Sequence, residues 1–526
     1  VSEQLANLSW KFQGGFATDL APETRELSFL VRALNAIYEV SGSIRKVGGA
    51  TRINSSAIVS STTNITGMID AHFAGTSGSF TDRFVALASD GTLHTLHISD
   101  GTTTAITGGA TITSNTVPVF AMLADVLTFW TSDNNTPLSI TFSGNAATLG
   151  GSPPAARGAV RYANRLFAFG QNANPSNLLY CAYGDPTTWT GNDTGILTCG
   201  NDDGDRIIGA IPYKGKLAVF KGPNIGSIYL VSGRSIADFT VEHLISGVPL
   251  QSPNAVVAVG DDVWFLGPIG VYSLAATEKF GNFEQADLTR FLKRFFREDI
   301  TTTRMNFSQA IHYQEQSCVV FTLASASGTE EDMVLVLSYI RFKEEGIKAS
   351  LWGPDRTAMS AAIRINASGR RQLVFGSTDG FVLIEDDITR VLPGGTAYTL
   401  RITTPRITIL PGDLPATLYN MYLKVVPVGN YNVSVDVTRD GQAPQTFTLD
   451  QGQAGFILDT DALDTGRLGG GILSTVYPNN AAGLSGECRA VEFDITQGGA
   501  SQDSSIYELG LIVDAAAVTR AASVTT

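Results

Sequence analysis

Along its length the chain alternates short apolar runs with turn-forming residues, and one arrangement recurs. The unit is a short apolar strand, a turn of Gly, Asp or Asn, a strongly hydrophobic strand, a Gly-rich connection, and a third strand alternating apolar with polar residues. The clearest copies read DRFVALASDGTLHTLHI from Asp82, YANRLFAFGQNANPSNLLYCA from Tyr162, YKGKLAVFKGPNIGSIYLV from Tyr213, GDDVWFLGPIGVYSL from Gly260 and GRRQLVFGSTDGFVLI from Gly369. Looser copies start at Ala124 and Glu315. The central strands begin near Phe84, Val126, Leu166, Leu217, Val263, Val319 and Leu373, a period of roughly 40 to 55 residues that suits propeller blades. A lone sheet of three or four strands cannot cover both its faces, so such copies stack around an axis until the ring closes. The pattern predicts an all-β chain with a β-propeller of about seven blades, six to eight being admissible, and few short helices.

Turn chemistry supports that reading. Asp90-Gly91, Asp100-Gly101, Asp379-Gly380 and Asp440-Gly441 separate alternating runs, where a tight hairpin requires positive φ. Helical spacing occurs twice. From Glu23 to Tyr38, Leu27, Leu30, Val31, Leu34 and Tyr38 recur at helical intervals behind Pro22. From Ala286, Leu288, Phe291, Leu292, Phe295 and Phe296 form one stripe opposite Arg290, Lys293, Arg294 and Arg297. Each is expected to be a docking helix on the ring. The basic stripe reads foremost as a solvated face, with DNA or an acidic partner as the other possibility.

The character changes at Leu392-Pro393-Gly394-Gly395, after which longer alternating strands follow, among them TLRITTPRITI, NYNVSVDVTRDG and RAVEFDITQ. Six such strands suit an antiparallel sandwich. The expected domains are residues 1–48 as an N-terminal arm and helix docking onto neighbours, 49–392 as the propeller, and 393–526 as a C-terminal β-sandwich.

Composition narrows function. At 526 residues the chain exceeds one ordinary core, and 54 glycines with only 16% charged residues favour strands and turns. A net charge of −13 argues against a protein that grips nucleic acid, since that affinity comes from Lys and Arg neutralising phosphates. Cys181, Cys199, Cys318 and Cys488 show no metal spacing and no dense disulfide framework, so buried reduced thiols are expected. The N-terminal stretch has neither a basic nor an apolar signal region, and no apolar run approaches the ~18 residues of a membrane span. The expectation is a soluble protein, not secreted by the general route.

Candidate chemistry is sparse. His94 and His97 form an H-x-x-H, but residues three apart on a strand point to opposite faces, which disfavours a shared metal. The acidic loop Asn201-Asp202-Asp203-Gly204-Asp205 is the best metal candidate, with Asp202, Asp203 and Asp205 as Ca²⁺ ligands around a glycine. It lacks the spacing and terminal Glu of an EF-hand, and a solvated turn is the competing reading. No G-x-S-x-G, phosphate-binding loop or H-E-x-x-H occurs, so a non-enzymatic protein without cofactors is expected.

Three stretches carry a resemblance. The segment from Gly14 through Asn54, with Asn35 and Ser41-Gly42-Ser43-Ile44-Arg45, resembles the opening of phage tail and neck propeller proteins; Val47-Gly48-Gly49 stands where Arg-Pro-Gly is usual. GDDVWFLGPIGVYSL, followed by Phe280-Gly281, is similar to their aromatic strand and following helix, with Pro268-Ile269-Gly270 in place of Asp-Gly. GFILDTDALDTGRLGG from Gly455 and AVEFDITQGGASQDSSIYELGLIV from Ala490 look like their closing β domain.

The family so indicated is the nozzle, or tail tubular B-type, protein of short-tailed phages. The resemblance implies a virion structural protein, assembled in the host cytoplasm, forming a homo-hexameric tail-tube ring below the adaptor and portal. Double-stranded DNA would transit its bore without specific binding, and the outer surface would support fibres or spikes. Six copies would carry −78 formal charges, six times −13, and an acidic bore keeps DNA from adhering. The alternative is a carbohydrate-binding or carbohydrate-active propeller, such as a receptor-binding tail component, which predicts aromatic and carboxylate groups gathered in one pocket. A WD-repeat scaffold fits less well, because no blade ends in Trp-Asp and no Gly-His recurs.

Overall fold

The computed structural model describes residues 5–514 apart from 13, 21–27, 75–79, 110, 143, 202, 341–345, 354–357, 367, 387–388, 411–413, 427–430 and 451–478. The chain divides into two compact units, one of residues 51–335 and 354–385, the other of 1–50, 336–353 and 386–526. Among the described residues, no helix is long and apolar enough to cross a membrane.

The first unit is a seven-bladed propeller. Five blades are separate four-stranded sheets and one is a separate three-stranded sheet; the remaining blade starts with Ala310–Tyr313, Cys318–Leu323 and Met333–Ser338. The innermost strands are Ile65–Ala74, Pro118–Leu123, Gly158–Tyr162, Arg206–Tyr213, Val256–Val259, Ala310–Tyr313 and Ser360–Ile365. Each neighbours the next, and the last returns to the first, so the ring is closed.

The second strands are the hydrophobic ones. Arg165–Phe169 and Cys318–Leu323 are buried at every position, because a blade interior is covered on both faces by its neighbours. All seven central strands expected from the repeats fall on these second strands. Interblade cores follow: Met68, Phe84 and Leu96 of blade one pack with Ala362, Val374 and Val382 of blade seven. Toward blade two, Phe73, Val85 and Leu87 pack with Leu127, Phe129 and Ile140.

The ring is latched by the chain where it enters. Strand Gly49–Arg52 takes the outer place of blade seven, and the Ile53 N–H donates to the Val382 carbonyl at 2.9 Å. Asn54, fully buried, donates from Nδ2 to the Gly380 carbonyl at 3.0 Å and accepts the Val382 N–H on Oδ1 at 2.8 Å. Gly380 has φ +79°, and an added Cβ would meet the Ser60 carbonyl oxygen at 2.7 Å, so this Asp379-Gly380 turn needs its glycine.

Blade five keeps three strands, and helix Leu274–Phe280 follows them. Ser273 caps the helix by accepting the Ala276 N–H, and Gly281 ends it in the left-handed region. The helix expected from Ala286 is reduced to one π turn, Phe295–Asp299. The upstream backbone bonds elsewhere: the Leu288 N–H donates to Val271 and Ala286 accepts from Ser273, while the Asp287 carboxylate captures the Thr289 N–H at 2.8 Å.

The second unit contains two extended sheets, described by itself. One runs Asn479–Cys488, Ala416–Val426, Ser505–Asp514, Ile44–Lys46, Ala36–Tyr38, with Leu5–Trp10 also paired to Ser505–Asp514. The other includes Lys348–Trp352, Arg32–Leu34, Leu400–Thr403, Ala490–Gln497, Asn432–Arg439 and Gln445–Asp450. Val433, Val435 and Val437 are buried between half-exposed neighbours, the alternation of a sheet covered on one face. The expected bounds of 393–526 are corrected: the C-terminal strands share these two sheets with strands from residues 5–46 and 348–352, and the segment from Gly455 lies outside the described residues.

The N-terminal expectation is corrected. Residues 23–27 lie outside the described residues, and over residues 29–38 the helix expected from Glu23 to Tyr38 is replaced by strands Phe29–Leu30, Arg32–Leu34 and Ala36–Tyr38. Their N–H groups go to distant strands, Val31 to the Thr403 carbonyl and Asn35 to the Leu351 carbonyl, so no i to i−4 ladder forms. Asn35 is the pivot. At φ +52° it carries the chain from one sheet to the other, donates to the Thr399 carbonyl at 2.9 Å and accepts the Gly353 N–H at 3.1 Å.

Candidate functional site

A propeller offers its axis as the first place to look, since the inner strands of all blades converge there. The axial cavity is about 460 Å³ and is lined from all seven inner strands or the residues just preceding them. It is bridged at the N-terminal ends of those strands. Asn254, before blade five, donates to the Pro118 carbonyl of blade two at 2.8 Å. Gln309, before blade six, donates to the Thr66 carbonyl of blade one at 3.2 Å and accepts the Ala361 N–H of blade seven at 3.1 Å.

The rest of the lining is small or apolar, and Arg161 is its one charged side chain. Packing there is tight: a Cβ on Gly67 would sit 2.0 Å from Pro118 Cγ. The axis is therefore a narrow, half-open cavity, crossed at one end by amide side chains that tie blade to blade.

The acidic loop is structural in two of its three positions, and Asp202 lies outside the described residues. Asp203 takes the ammonium of Lys221, a fully buried lysine, at 2.7 Å on Oδ1. Lys221 also donates to Ser176 Oγ at 3.0 Å. The cation beside Asp203 is thus supplied by the chain itself. Asp205, buried, accepts three consecutive N–H groups: Asn224 at 2.7 Å, Ile225 at 2.9 Å and Gly226 at 2.7 Å. Such an anion nest replaces a metal as the carboxylate's partner. Among the described residues, no three His, Cys, Asp or Glu side chains gather as a metal site.

The other singled-out residues stand apart. His94 and His97 lie on strand Leu93–His97, where His94 Nε2 contacts Thr92 Oγ1 at 2.9 Å and His97 Nε2 contacts Thr104 Oγ1 at 3.1 Å. All four cysteines are buried and unpaired with one another; burial pushes the Cys181 thiol up to about 11 and the Cys199 thiol up to about 12. In the basic stripe, Arg294 Nε donates to Glu298 at 2.7 Å and Lys293 pairs with Asp287.

One constellation was not visible in the sequence. A cleft of about 560 Å³ runs over the end of blade one, with Arg364 and Ile365 of blade seven on one side and Phe142, after the third strand of blade two, on the other. Pleating sorts its residues. Asp70 and Asp82 follow the face of Met68 and Phe84, toward blade seven, while Arg83 and Thr95 follow the face of Val85, toward blade two.

The Asp70 side chain is only 6% exposed and accepts the Ile365 N–H at 2.9 Å. Burial raises its carboxyl above the ordinary aspartate range, against the lowering effects of that hydrogen bond and of His72. His72 Nδ1 lies 2.6 Å from Asp82 Oδ1, fixing that carboxylate at the rim. Arg83 is held by the Thr141 and Gly144 carbonyls at 2.9 and 2.8 Å. No sequence signal announced this cleft, because its residues come from three blades.

No protein-family model matches the chain, and no curated protein is similar to it. Among solved structures, a chain of a mitotic checkpoint complex is similar at 11% identity and a TM-score of 0.39, covering 65% of this chain and 95% of that one. YCF48 bound to a D1 peptide is similar at 10% identity and a TM-score of 0.36, covering 64% and 94%. The WD40 domain of Pan2 from Neurospora crassa gives 9% identity and a TM-score of 0.37, covering 66% and 97%.

Proposed function

We propose that the chain is a structural subunit of a phage virion, a propeller-and-sandwich building block of a homo-oligomeric tail tube or nozzle that conducts the genome. The observation that carries this reading is the propeller axis, narrow and bridged from blade to blade. Its polar groups tie blade to blade, Asn254 to Pro118 and Gln309 to Thr66 and Ala361. An axis crossed by hydrogen-bonded side chains leaves no passage for a duplex whose major groove alone is about 12 Å wide. The conduit in this reading lies between copies, and each propeller serves as a rigid wall block.

Two further features support it. Asn35 and the turn Ser41–Arg45 carry the resemblance to nozzle proteins, and both are structural pivots here. Gly42, at φ +86°, turns the hairpin, and Arg45 donates to Asp503 at 2.9 Å. The net charge of −13 suits a wall past which DNA slides. Six copies, the adaptor and portal side of the tail, and fibres or spikes are the partners of this reading.

Sedimentation of the purified protein over a wide concentration range, with mass spectrometry of purified virions, tests it. The reading expects concentration-dependent assembly and presence in the virion. A protein that stays monomeric at high concentration and is absent from virions contradicts it.

A further inference from the structure

We propose that the cleft over blade one binds an uncharged saccharide, with Asp70 and Asp82 accepting hydrogen bonds from its hydroxyls and Phe142 stacking on its ring face. The inference stands on the cleft alone and does not rest on the tail reading. Three observations select the ligand class.

First, the charges lining the cleft balance: carboxylates Asp70 and Asp82 against guanidiniums Arg83 and Arg364. A phosphate or a sugar acid entering it meets two carboxylates, one of them buried. Arg83 cannot answer freely, because its guanidinium is already engaged by two carbonyls and by Thr95 Oγ1 at 2.8 Å. An uncharged polyol meets no such penalty.

Second, acceptors and donors alternate with apolar surface. Phe142 is 44% exposed and Ile365 39% exposed, so both offer apolar faces to solvent beside the carboxylates. A pyranose has the same division, with C–H groups on its ring faces and hydroxyls around its rim. Aromatic side chains serve such amphipathic ligands because one flat apolar surface is gained at little conformational cost.

Third, the polar groups are held in place before any ligand arrives. Asp70 is fixed by the Ile365 N–H and Asp82 by His72. Preorganised acceptors keep the ordering cost of binding low. The volume, about 560 Å³, lies within the range of small-ligand clefts.

The test uses the full-length protein on an array of neutral and acidic oligosaccharides, then saturation-transfer NMR and calorimetry with the tightest neutral one. The expected result is binding of a neutral oligosaccharide, weakened about tenfold or more by Phe142→Ala and by Asp82→Ala, a loss of about 1.4 kcal/mol or more. Phe280→Ala, at another exposed phenylalanine, is expected to bind as the parent does. Phe142 and Asp82 are exposed, so both variants are expected to fold, which thermal melting verifies. Binding of no neutral glycan, tighter binding of acidic ones, or unchanged affinity in Phe142→Ala overturns the proposal.

Discussion

The propeller and the sandwich unit are built from the same element, a short antiparallel strand, but they join it in opposite ways. In the propeller, successive strands pair with each other: Pro118–Leu123 with Val126–Thr131, then with Leu138–Ile140. Among the described residues, the strand pairing that reaches across the sequence is that of the entry strand Gly49–Arg52 in blade seven. In the other unit, Leu5–Trp10 pairs with Leu509–Asp514, Arg32–Thr403 and Ile44–Ile506 face each other, and Leu351 pairs with Leu34. One region is assembled from local hairpins, the other from both ends of the chain. The difference teaches where cooperativity resides: a blade hairpin owes its register to the next few residues, whereas the sandwich unit needs all its segments at once.

The most disruptive way to probe that contrast is to remove the N-terminal contribution. Residues 393–526 alone lack Leu5–Trp10, Arg32–Leu34, Ala36–Tyr38, Ile44–Lys46 and Lys348–Trp352, so strand Ser505–Asp514 is left with an open edge. The isolated fragment is expected to show the narrow amide dispersion of an unfolded chain. A well-dispersed NMR spectrum would mean that the interleaving is dispensable.

Within the propeller, Asp203→Ala strands the buried Lys221 ammonium, and a loss of about 3 kcal/mol or more is expected in urea unfolding. The double change Asp203→Ala with Lys221→Met should recover much of it, and millimolar calcium should not shift the parent's melting temperature. Full rescue of Asp203→Ala by calcium would restore the metal reading.

Asn54→Ala tests the latch. It leaves the Val382 N–H without its partner and the Gly380 carbonyl with only the Ile58 N–H, at a cost of about 2 kcal/mol. Hydrogen exchange should quicken in blade seven before the others; uniform protection would show that the latch does not hold the ring.

The smallest effect is a pH dependence in the sandwich unit. Lys46 is fully buried and donates to Gln497 Oε1 at 2.9 Å and to the Gly499 carbonyl at 3.1 Å. Burial pulls its pKa down to about 8, with the Arg390 charge lowering it and Asp503 opposing. Below about 8 the lysine is charged whether folded or not; between about 8 and its unfolded value, only the unfolded chain holds the proton. Stability from this group therefore rises with pH across that window, by at most about 1.4 kcal/mol per unit. The gap between parent and Lys46→Met should move in the parent's favour from pH 7.5 to 9.5, and a constant gap would refute the assignment.

The same contrast explains what the sequence made legible. Seven central strands were readable because each has a strongly apolar centre and a turn close by, as at Asp90-Gly91, where Gly91 has φ +91°. Residues 29–38 misled because strands of two or three residues leave apolar spacings that mimic a helix, and only partners such as Thr403 and Leu351 decide the outcome. The acidic loop was visible as a cluster, but its partners Lys221 and Asn224–Gly226 lie a hairpin away and turn ligands into structural anchors. The cleft was invisible for the same reason, since Asp70, Phe142 and Arg364 meet only when blades seven, one and two close the ring.

The central claim, that the chain is a wall block with its conduit between copies, is tested most directly by electron microscopy of the purified protein and of virions. The expected result is a ring of copies around a central hole, with no DNA density in the propeller axes. Isolated propellers that never form a ring, or a ring whose DNA runs through a propeller axis, would contradict it.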